Sequence, residues 1–210
     1  MTKSPRLVWP VSALLGEGPA WFSEEAALRF VDIKQGLLHR YHPASGAMET
    51  VCLGGQPSFV LPTHTGQLVL GSDGHILQVN TDGTGVTRVA ELPMPAHNRT
   101  NDATVDAQGR LWFGTMDDQE ERPTGALWCL DRGDLRLLGG DAVVTNGPAV
   151  SPDGRTLYHV DSAARTIWRF TIGAGPAIER RDVFLQLVED DGHPDGIVLD
   201  SEGCLWVALW

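Results

Sequence analysis

Basic residues are scarce in this sequence. Sixteen Lys and Arg stand against 27 Asp and Glu in 210 residues, which gives a formal net charge of −11. Binding to nucleic acid depends on neutralisation of phosphates by Lys and Arg. The charge balance therefore argues against a nucleic-acid partner.

Long hydrophobic runs are also lacking. No apolar stretch approaches the ~18 residues that a membrane-spanning helix needs. The first 18 residues hold only a short apolar stretch, interrupted by Pro10, which is unlike a secretory signal. The three cysteines, Cys52, Cys129 and Cys204, have no metal-ligand spacing. We therefore expect a cytoplasmic protein with reduced cysteines and no membrane partner.

The third absence is a helical period of 3.6 residues in any long stretch. Instead, 24 Gly and 13 Pro break the chain into short apolar segments. Five of these segments are similar and begin with leucines 40 to 48 residues apart: LRFVD from Leu28, LVLGS from Leu68, LWFGT from Leu111, LYHVD from Leu157 and LWVAL from Leu205. Short strands repeating at this period predict the blades of a β-propeller.

A polar side chain precedes each repeat at an equivalent place. Counting back 10 to 12 residues from each leucine leads to Glu17, Gln56, Asn101, Asn146 and Asp195. The first strands of propeller blades line the central axis, so these side chains should converge at one mouth of the channel. Polar residues are common at strand starts, but an acid or amide at all five places favours a shared polar site.

The repeats predict a single all-β domain over residues 1–210. The expected blades span approximately 15–51, 55–92, 99–140, 145–185 and 193–210, which is about four and a half blades. Leu7, Trp9 and Val11 alternate weakly, and a strand there could close the ring against the last blade. The acidic insertion 117–125 is expected to be exposed. We expect a C-terminally incomplete propeller, since closed rings leave no sheet edge bare.

Several motifs, in this order, resemble the SMP-30/gluconolactonase/regucalcin family. They are LGEGPAW at 15–21, RTND at 99–102, GTM at 114–116, TNGPAVSPDGRTLYHVDS at 145–162 and HPDGIVLDSEGCLWVA at 193–208. The resemblance implies a six-bladed β-propeller that binds one divalent cation and hydrolyses sugar lactones.

The resemblance also implies roles for individual residues. It places Glu17, Asn146 and Asp195 as metal ligands, with Asp195 also the catalytic base. Arg99 and Asn101 match the family's substrate-binding positions. Some family members carry a substrate-contacting glutamate shortly after GTM, where this sequence has Gln119 among Asp117, Asp118 and Glu120.

Two carboxylates and one amide oxygen suit a hard cation such as Ca²⁺, Mg²⁺ or Mn²⁺, and the resemblance also admits Zn²⁺. The expected partner is a small sugar lactone, and the expected state is a monomer or weak homo-oligomer. His97 and His193 border the site but are expected to be surface or turn residues, and Trp112, Trp128, Trp168 and Trp206 to pack between strands. Three alternatives stay open: a non-catalytic calcium-binding or interaction propeller, an inactive truncated chain, and a related esterase or phosphotriesterase.

Overall fold

A computed structural model describes Ser4 and residues 6–210 as an all-β propeller. In the described part the strands form four four-stranded antiparallel sheets and one two-stranded sheet. The first sheet contains β1 (Gly16–Phe22), β2 (Ala27–Asp32), β3 (Leu37–His42) and β4 (Ala47–Cys52). The second contains β5 (Pro57–Pro62), β6 (Leu68–Ser72), β7 (His75–Val79) and β8 (Thr87–Glu91).

The third sheet contains β9 (Asn98–Val105), β10 (Leu111–Asp117), β11 (Gly125–Asp131) and β12 (Asp134–Ala142). The fourth contains β13 (Thr145–Val150), β14 (Thr156–Asp161), β15 (Thr166–Ile172) and β16 (Ile178–Gln186). The 3-10 turn Glu189–Asp191 leads to the fifth sheet, which consists of β17 (Pro194–Leu199) and β18 (Leu205–Leu209).

The first strand of each sheet lies next to the first strand of the following sheet. Thus β1 packs against β5, β5 against β9, β9 against β13, and β13 against β17. Each sheet then continues outward in sequence order. The starts of these five innermost strands are therefore brought around one axis, as the sequence repeat predicts.

The hydrophobic core lies between neighbouring sheets. One cluster joins the first two sheets through residues such as Val31 and Leu70, and another joins the second and third through Phe59 and Phe113. A third joins the third and fourth sheets and includes Trp112. Apolar residues on both faces of the middle strands supply this stacking, which explains why all seven residues of β10 are buried.

One expectation from the sequence is wrong in the described region, and a second holds only in part. Ser4 and residues 6–14 contain no strand, and the Trp9 ring instead packs edge-on against Phe30 and His39, with centroids 5.7 and 5.3 Å away. The remaining residues of the expected strand lie outside the described residues. Within the insertion 117–125, residues 119–123 are exposed as expected, but Asp117 is fully buried, and its carboxylate accepts the backbone N–H groups of Glu121 and Arg122.

Candidate functional site

A cavity of about 720 Å³ lies between the innermost strands. Its walls come from β1, β5, β9, β17 and β18, and they carry the carboxylates of Glu17, Asp102 and Asp195. Asn146 and Arg99 lie on the neighbouring stretches of β13 and β9. The structure thus gathers at one end of the sheets most of the polar positions that the repeat singled out.

Most of the site residues on these strands sit at a break in the strand pairing, the exception being Arg99, which pairs with Met116. The register of β1 with β2 shifts between Glu17 and Ala20, and that of β13 with β14 shifts between Asn146 and Ala149. The β17–β18 pair shifts after Pro194, across Asp195. The β9–β10 pair shifts across the stretch that holds Asn101 and Asp102. A bulge re-aims a side chain and interrupts the ladder, which is a common device beside functional sites.

Glycine makes two of these bulges possible. Gly18 and Gly147 follow Glu17 and Asn146, and they adopt φ values of +59° and +66°. A Cβ on Gly147 would lie 2.7 Å from Cγ1 of Ile197 on the next sheet, and a Cβ on Gly18 would lie 3.0 Å from the backbone of the second sheet. The Gly-Pro pairs of the repeat therefore set both the backbone direction and the close approach of neighbouring sheets.

The carboxylates of the cavity carry excess negative charge. Burial, together with the charge of Asp195, raises the pKa of Glu17 to about 7, although Arg99 opposes this rise. Burial also raises the pKa of Asp102 to about 7, with contributions from Glu17 and Asp195. The pKa of Asp195 is raised as well, mainly by burial and partly by Glu120. A buried cluster of this kind is stabilised by a nearby cation.

The donor set of Glu17, Asn146 and Asp195 fits a hard divalent cation in chemistry. Carboxylate and amide oxygens are the groups that Ca²⁺, Mg²⁺ and Mn²⁺ prefer. Among the described residues, no group of three or more His, Cys, Asp or Glu side chains is arranged as metal ligands. The set predicted from the sequence has two acids, and Asn146 completes it with one neutral oxygen.

A directed chain of hydrogen bonds connects the candidate substrate-binding and metal-binding residues. Arg99 Nη1 donates to Asn101 Oδ1 at 2.5 Å, and Asn101 Nδ2 donates to Asn146 Oδ1 at 2.7 Å. Asn146 Nδ2 then donates to Ser162 Oγ at 2.9 Å. All four side chains are buried, with Arg99 3% exposed. The chain therefore links the two sets of candidate residues by direct side-chain hydrogen bonds.

Asn101 has little free hydrogen-bonding capacity. Its two N–H groups are taken by Asn146 Oδ1 and by the carbonyl of Thr145, and its oxygen accepts from Arg99. A carbonyl oxygen has a second lone pair, which leaves Asn101 one acceptor site for a ligand hydroxyl. Its internal contacts also give Asn101 a part in orienting Asn146.

Arg99 is held in place by hydrogen bonds that its Nε and Nη1 atoms donate. Nε donates to Asp118 at 2.9 Å, and Nη1 donates to the carbonyl of Thr100 at 3.0 Å. Burial lowers the pKa of the guanidinium, and Asp118 counters that change. Nη2 has no hydrogen-bond partner among the described residues, so its two N–H groups remain for a ligand.

In the acidic segment after β10, consecutive residues have different contacts. Asp118 contacts Arg99, and it also accepts from Lys34 Nζ at 2.6 Å and Gln56 Nε2 at 3.2 Å. Glu120 is exposed, and its charge acts on both Arg99 and Asp195. The position that matches the family's substrate-contacting glutamate by its spacing from GTM is Gln119. The residue that forms the ion pair with the Arg99 guanidinium is Asp118.

The histidines next to the site have local partners. His193 Nδ1 donates to the carbonyl of Ser162 at 2.9 Å, and its Nε2 accepts from Arg165 at 3.3 Å. Both ring nitrogens are thus engaged. His97 Nε2 is 3.3 Å from Thr124 Oγ1. Neither contact points to a metal ligand, in line with the expectation from the sequence.

The tryptophans divide by position. Trp112 and Trp128 are buried, and Trp168 is partly buried beneath the guanidinium of Arg181. Trp206 differs, because it is 65% exposed and lines the cavity. The expected packing role therefore holds for the first three rings but is wrong for Trp206.

Three residues near the site escaped sequence reasoning. Asp118 is one of four neighbouring polar residues, and nothing in their spacing distinguishes it. Asp102 ends the R-x-N-D motif, which was the available signal for its place in the cavity wall. Ser162 directly follows β14, but its contacts with Asn146 and the start of β17 depend on how the sheets pack.

Comparisons with known proteins point to one protein family. A family profile described as SMP-30/Gluconolactonase/LRE-like region matches residues 15–210. A 6-deoxy-6-sulfogluconolactonase from Pseudomonas putida is 31% identical over 220 residues, covering 99% of this chain and 72% of that protein. A pentonolactonase from Haloferax volcanii is 33% identical over 207 residues, covering 95% of this chain and 68% of that protein.

A solved structure shares the fold closely. It is the crystal structure of a calcium-binding protein, regucalcin, from Agrobacterium tumefaciens, with a TM-score of 0.93 and 29% identity. The match covers 99% of this chain and 71% of that one. With the profile match and the sheet arrangement, these similarities show that the chain belongs to the SMP-30/gluconolactonase/LRE-like family.

Proposed function

We propose that this protein is a divalent-metal-dependent sugar lactonase, which opens an aldonolactone to the aldonic acid. The observation that carries the proposal is the buried chain from Arg99 through Asn101 to Asn146. It joins a free guanidinium edge to a candidate metal ligand beside a cavity whose walls carry three carboxylates, two of them the other candidate ligands Glu17 and Asp195. Two relatives named as sugar lactonases support the substrate class.

Glu17, Asn146 and Asp195 would hold the cation. When bound, a divalent cation supplies positive charge that polarises the lactone carbonyl and lowers the pKa of water. The free Nη2 of Arg99 donates to sugar oxygens, and the remaining lone pair of Asn101 accepts from a sugar hydroxyl. These contacts orient the ring so that its carbonyl carbon faces the carboxylate of Asp195.

Hydrolysis needs one proton transfer in each direction. Water forms a bond to the carbonyl carbon as Asp195 takes one of its protons. The ring C–O bond then breaks, and the proton returns to the departing alkoxide, which becomes the hydroxyl of the aldonic acid. Burial raises the pKa of Asp195 above its usual value in the metal-free protein. A bound cation would lower that pKa, so the cation would have to supply much of the driving force for the attack of water.

A non-catalytic calcium-binding role is the second candidate. It is favoured by the similarity to the regucalcin structure, which is described as a calcium-binding protein. Both candidates share the cation, so metal binding alone does not separate them. Turnover of a lactone by the metal-loaded protein does.

The test is lactone hydrolysis, followed with a pH indicator, on a panel of pentono- and hexonolactones. The protein is first chelated, then supplied with Ca²⁺, Mg²⁺, Mn²⁺ or Zn²⁺. We expect turnover only after metal is restored, and Asp195→Asn should lower kcat at least about a hundredfold through loss of the base. Asp200→Asn is the matched control, since Asp200 lies on the same two-stranded sheet and contacts only its own turn and Trp206.

Several outcomes are decisive. Full activity in metal-free buffer would contradict the requirement for a divalent metal. Full activity of Asp195→Asn would contradict the role of Asp195 as the catalytic base. Tight calcium binding with no turnover of any lactone by folded protein would favour the calcium-binding role.

A further inference from the structure

We propose that Ser162 is a positioning residue that orients two of the candidate metal ligands, Asn146 and Asp195. This inference rests on the proposed function. Ser162 follows β14 directly and is 1% exposed. Its hydroxyl accepts a hydrogen bond from Asn146 Nδ2 at 2.9 Å and donates one to the carbonyl of Pro194 at 2.6 Å.

The first contact fixes which way the Asn146 amide faces. A hydroxyl has a single proton, and Ser162 gives its proton to Pro194, so Oγ is left as an acceptor toward Asn146. The NH₂ group of Asn146 must therefore face Ser162. Its oxygen then lies on the other side, where it accepts from Asn101 at 2.7 Å. If the Asn146 amide were flipped, its oxygen would face the Ser162 Oγ acceptor and its NH₂ group would face the NH₂ group of Asn101.

The second contact fixes the backbone from which Asp195 projects. The carbonyl of Pro194 belongs to the peptide group that joins Pro194 to Asp195. The Ser162 backbone adds to the anchor, because its carbonyl accepts from His193 Nδ1 at 2.9 Å. One serine thus holds both the amide ligand of the fourth sheet and the start of β17 on the fifth.

Loss of this hydroxyl should weaken metal binding without removing a ligand. In Ser162→Ala the Asn146 NH₂ loses its acceptor and the amide is free to turn. Groups that orient metal ligands typically contribute ten- to a hundredfold to affinity. Ser162→Thr keeps the hydroxyl and should restore binding. Arg99 does not contact Ser162, so the KM measured at saturating metal should change less than the metal affinity.

The matched control is Ser58→Ala. Ser58 is also 1% exposed, and its hydroxyl also crosses between sheets, to Thr100 Oγ1 at 2.8 Å. It contacts none of the candidate ligands. Calcium affinity is measured by titration calorimetry on the full chain, and exchange of the Asn146 side-chain amide protons is measured by NMR without metal.

We expect Ser162→Ala to bind Ca²⁺ at least tenfold more weakly and to lose protection of the Asn146 amide, while Ser162→Thr and Ser58→Ala stay within threefold of the wild type. Equal weakening by Ser58→Ala, or unchanged affinity in Ser162→Ala, would overturn the inference and leave the proposed function intact. If wild-type protein bound none of the four cations, the proposed function itself would fail. If Ser162→Ala did not fold, Ser162→Cys would decide by the same comparison.

Discussion

Arg99 is a buried cation, and its neighbours determine whether it is available to a ligand. Its Nε and Nη1 atoms bind within the protein, and only Nη2 is free among the described residues. Asp118 supplies the compensating charge, and Lys34 on the first sheet contacts the same carboxylate. The orientation of the guanidinium thus depends on a residue that need not touch substrate.

Asp118→Asn should impair substrate use while leaving the metal in place. Hydrogen bonds to charged groups contribute about 1.5–3 kcal/mol, so kcat/KM for the preferred lactone should fall roughly ten- to a hundredfold. Steady-state kinetics at saturating metal measures this change. Lys34→Ala is the control, because Lys34 is exposed and shares Asp118 Oδ1 with Arg99 without being assigned a contact to substrate; it should change kcat/KM less than threefold. An equal loss of calcium affinity in Asp118→Asn would contradict the assignment.

His159 on β14 makes the protein sensitive to acid. The ring is buried, and its Nε2 has no hydrogen-bond partner among the described residues. Burial, with a contribution from Arg181, lowers its pKa from 6.5 to about 3. In the window from about pH 6.5 down to about 3, the unfolded chain binds a proton at this site and the folded chain does not. Stability is therefore lost as the pH falls through that window.

His159→Leu should flatten this acid dependence. The wild type should lose about 1.4 kcal/mol for each pH unit below about 6.5 through this residue, and the variant should not. Urea unfolding followed by tryptophan fluorescence, repeated between pH 7 and pH 4, gives the two slopes. Parallel curves for the two proteins would show that the imidazole is protonated in the folded state.

At the level of elements, a turn between the first two strands recurs in two sheets, and in both an aspartate accepts a hydrogen bond from a tryptophan six residues later. Asp106 accepts from Trp112 Nε1 at 2.7 Å and from Arg110 Nε at 2.6 Å. Asp200 likewise accepts from Trp206 Nε1 at 2.8 Å. The first carboxylate is fully buried, whereas the second lies in an exposed turn. The two turns therefore differ in burial and in the ion pair to Arg110, whose place in the second turn is taken by Cys204.

Asp106→Ala should destabilise the fold strongly. It leaves the Arg110 guanidinium and the Trp112 indole unpaired in the interior, which costs about 3–5 kcal/mol when a buried ion pair loses one partner. Asp200→Ala removes the corresponding contacts with the turn backbone and Trp206 at an exposed site without an arginine partner, and it should have the smaller effect. Chemical denaturation of both variants measures the difference. Equal effects would mean that burial does not determine the role of this turn.

The sequence predicts these elements well because each second strand has a leucine at or next to its first residue, and four of the five turns before these strands carry a glycine. The convergence of Glu17, Asn101, Asn146 and Asp195 follows from the same repeat. The bulges were not predicted from the repeat, although Gly18 and Gly147 stand at two of them. Contacts between sheets, such as that of Ser162 with Pro194, join residues 32 positions apart, and no local pattern encodes them.

At the level of the whole molecule, the candidate metal ligands come from three different sheets. Glu17 lies on the first sheet, Asn146 on the fourth and Asp195 on the fifth. Among the described residues, no helix is long and apolar enough to cross a membrane, and the strands are held together by packing between sheets. A cation at the axis would connect sheets that are far apart in the chain, so its binding is coupled to the integrity of the propeller.

Metal should therefore raise the melting temperature of the chain. Ligand binding to the folded state at a hundred times its Kd adds about 2.7 kcal/mol. For a chain of this size that corresponds to an increase in Tm of about 5–10 °C. Scanning calorimetry of chelated protein, with and without Ca²⁺, measures the shift. Asn146→Ala should lose most of it, because a ligand is gone, whereas Arg99→Ala should keep it, because Arg99 is assigned to substrate. An undiminished shift in Asn146→Ala would place the cation elsewhere in the molecule.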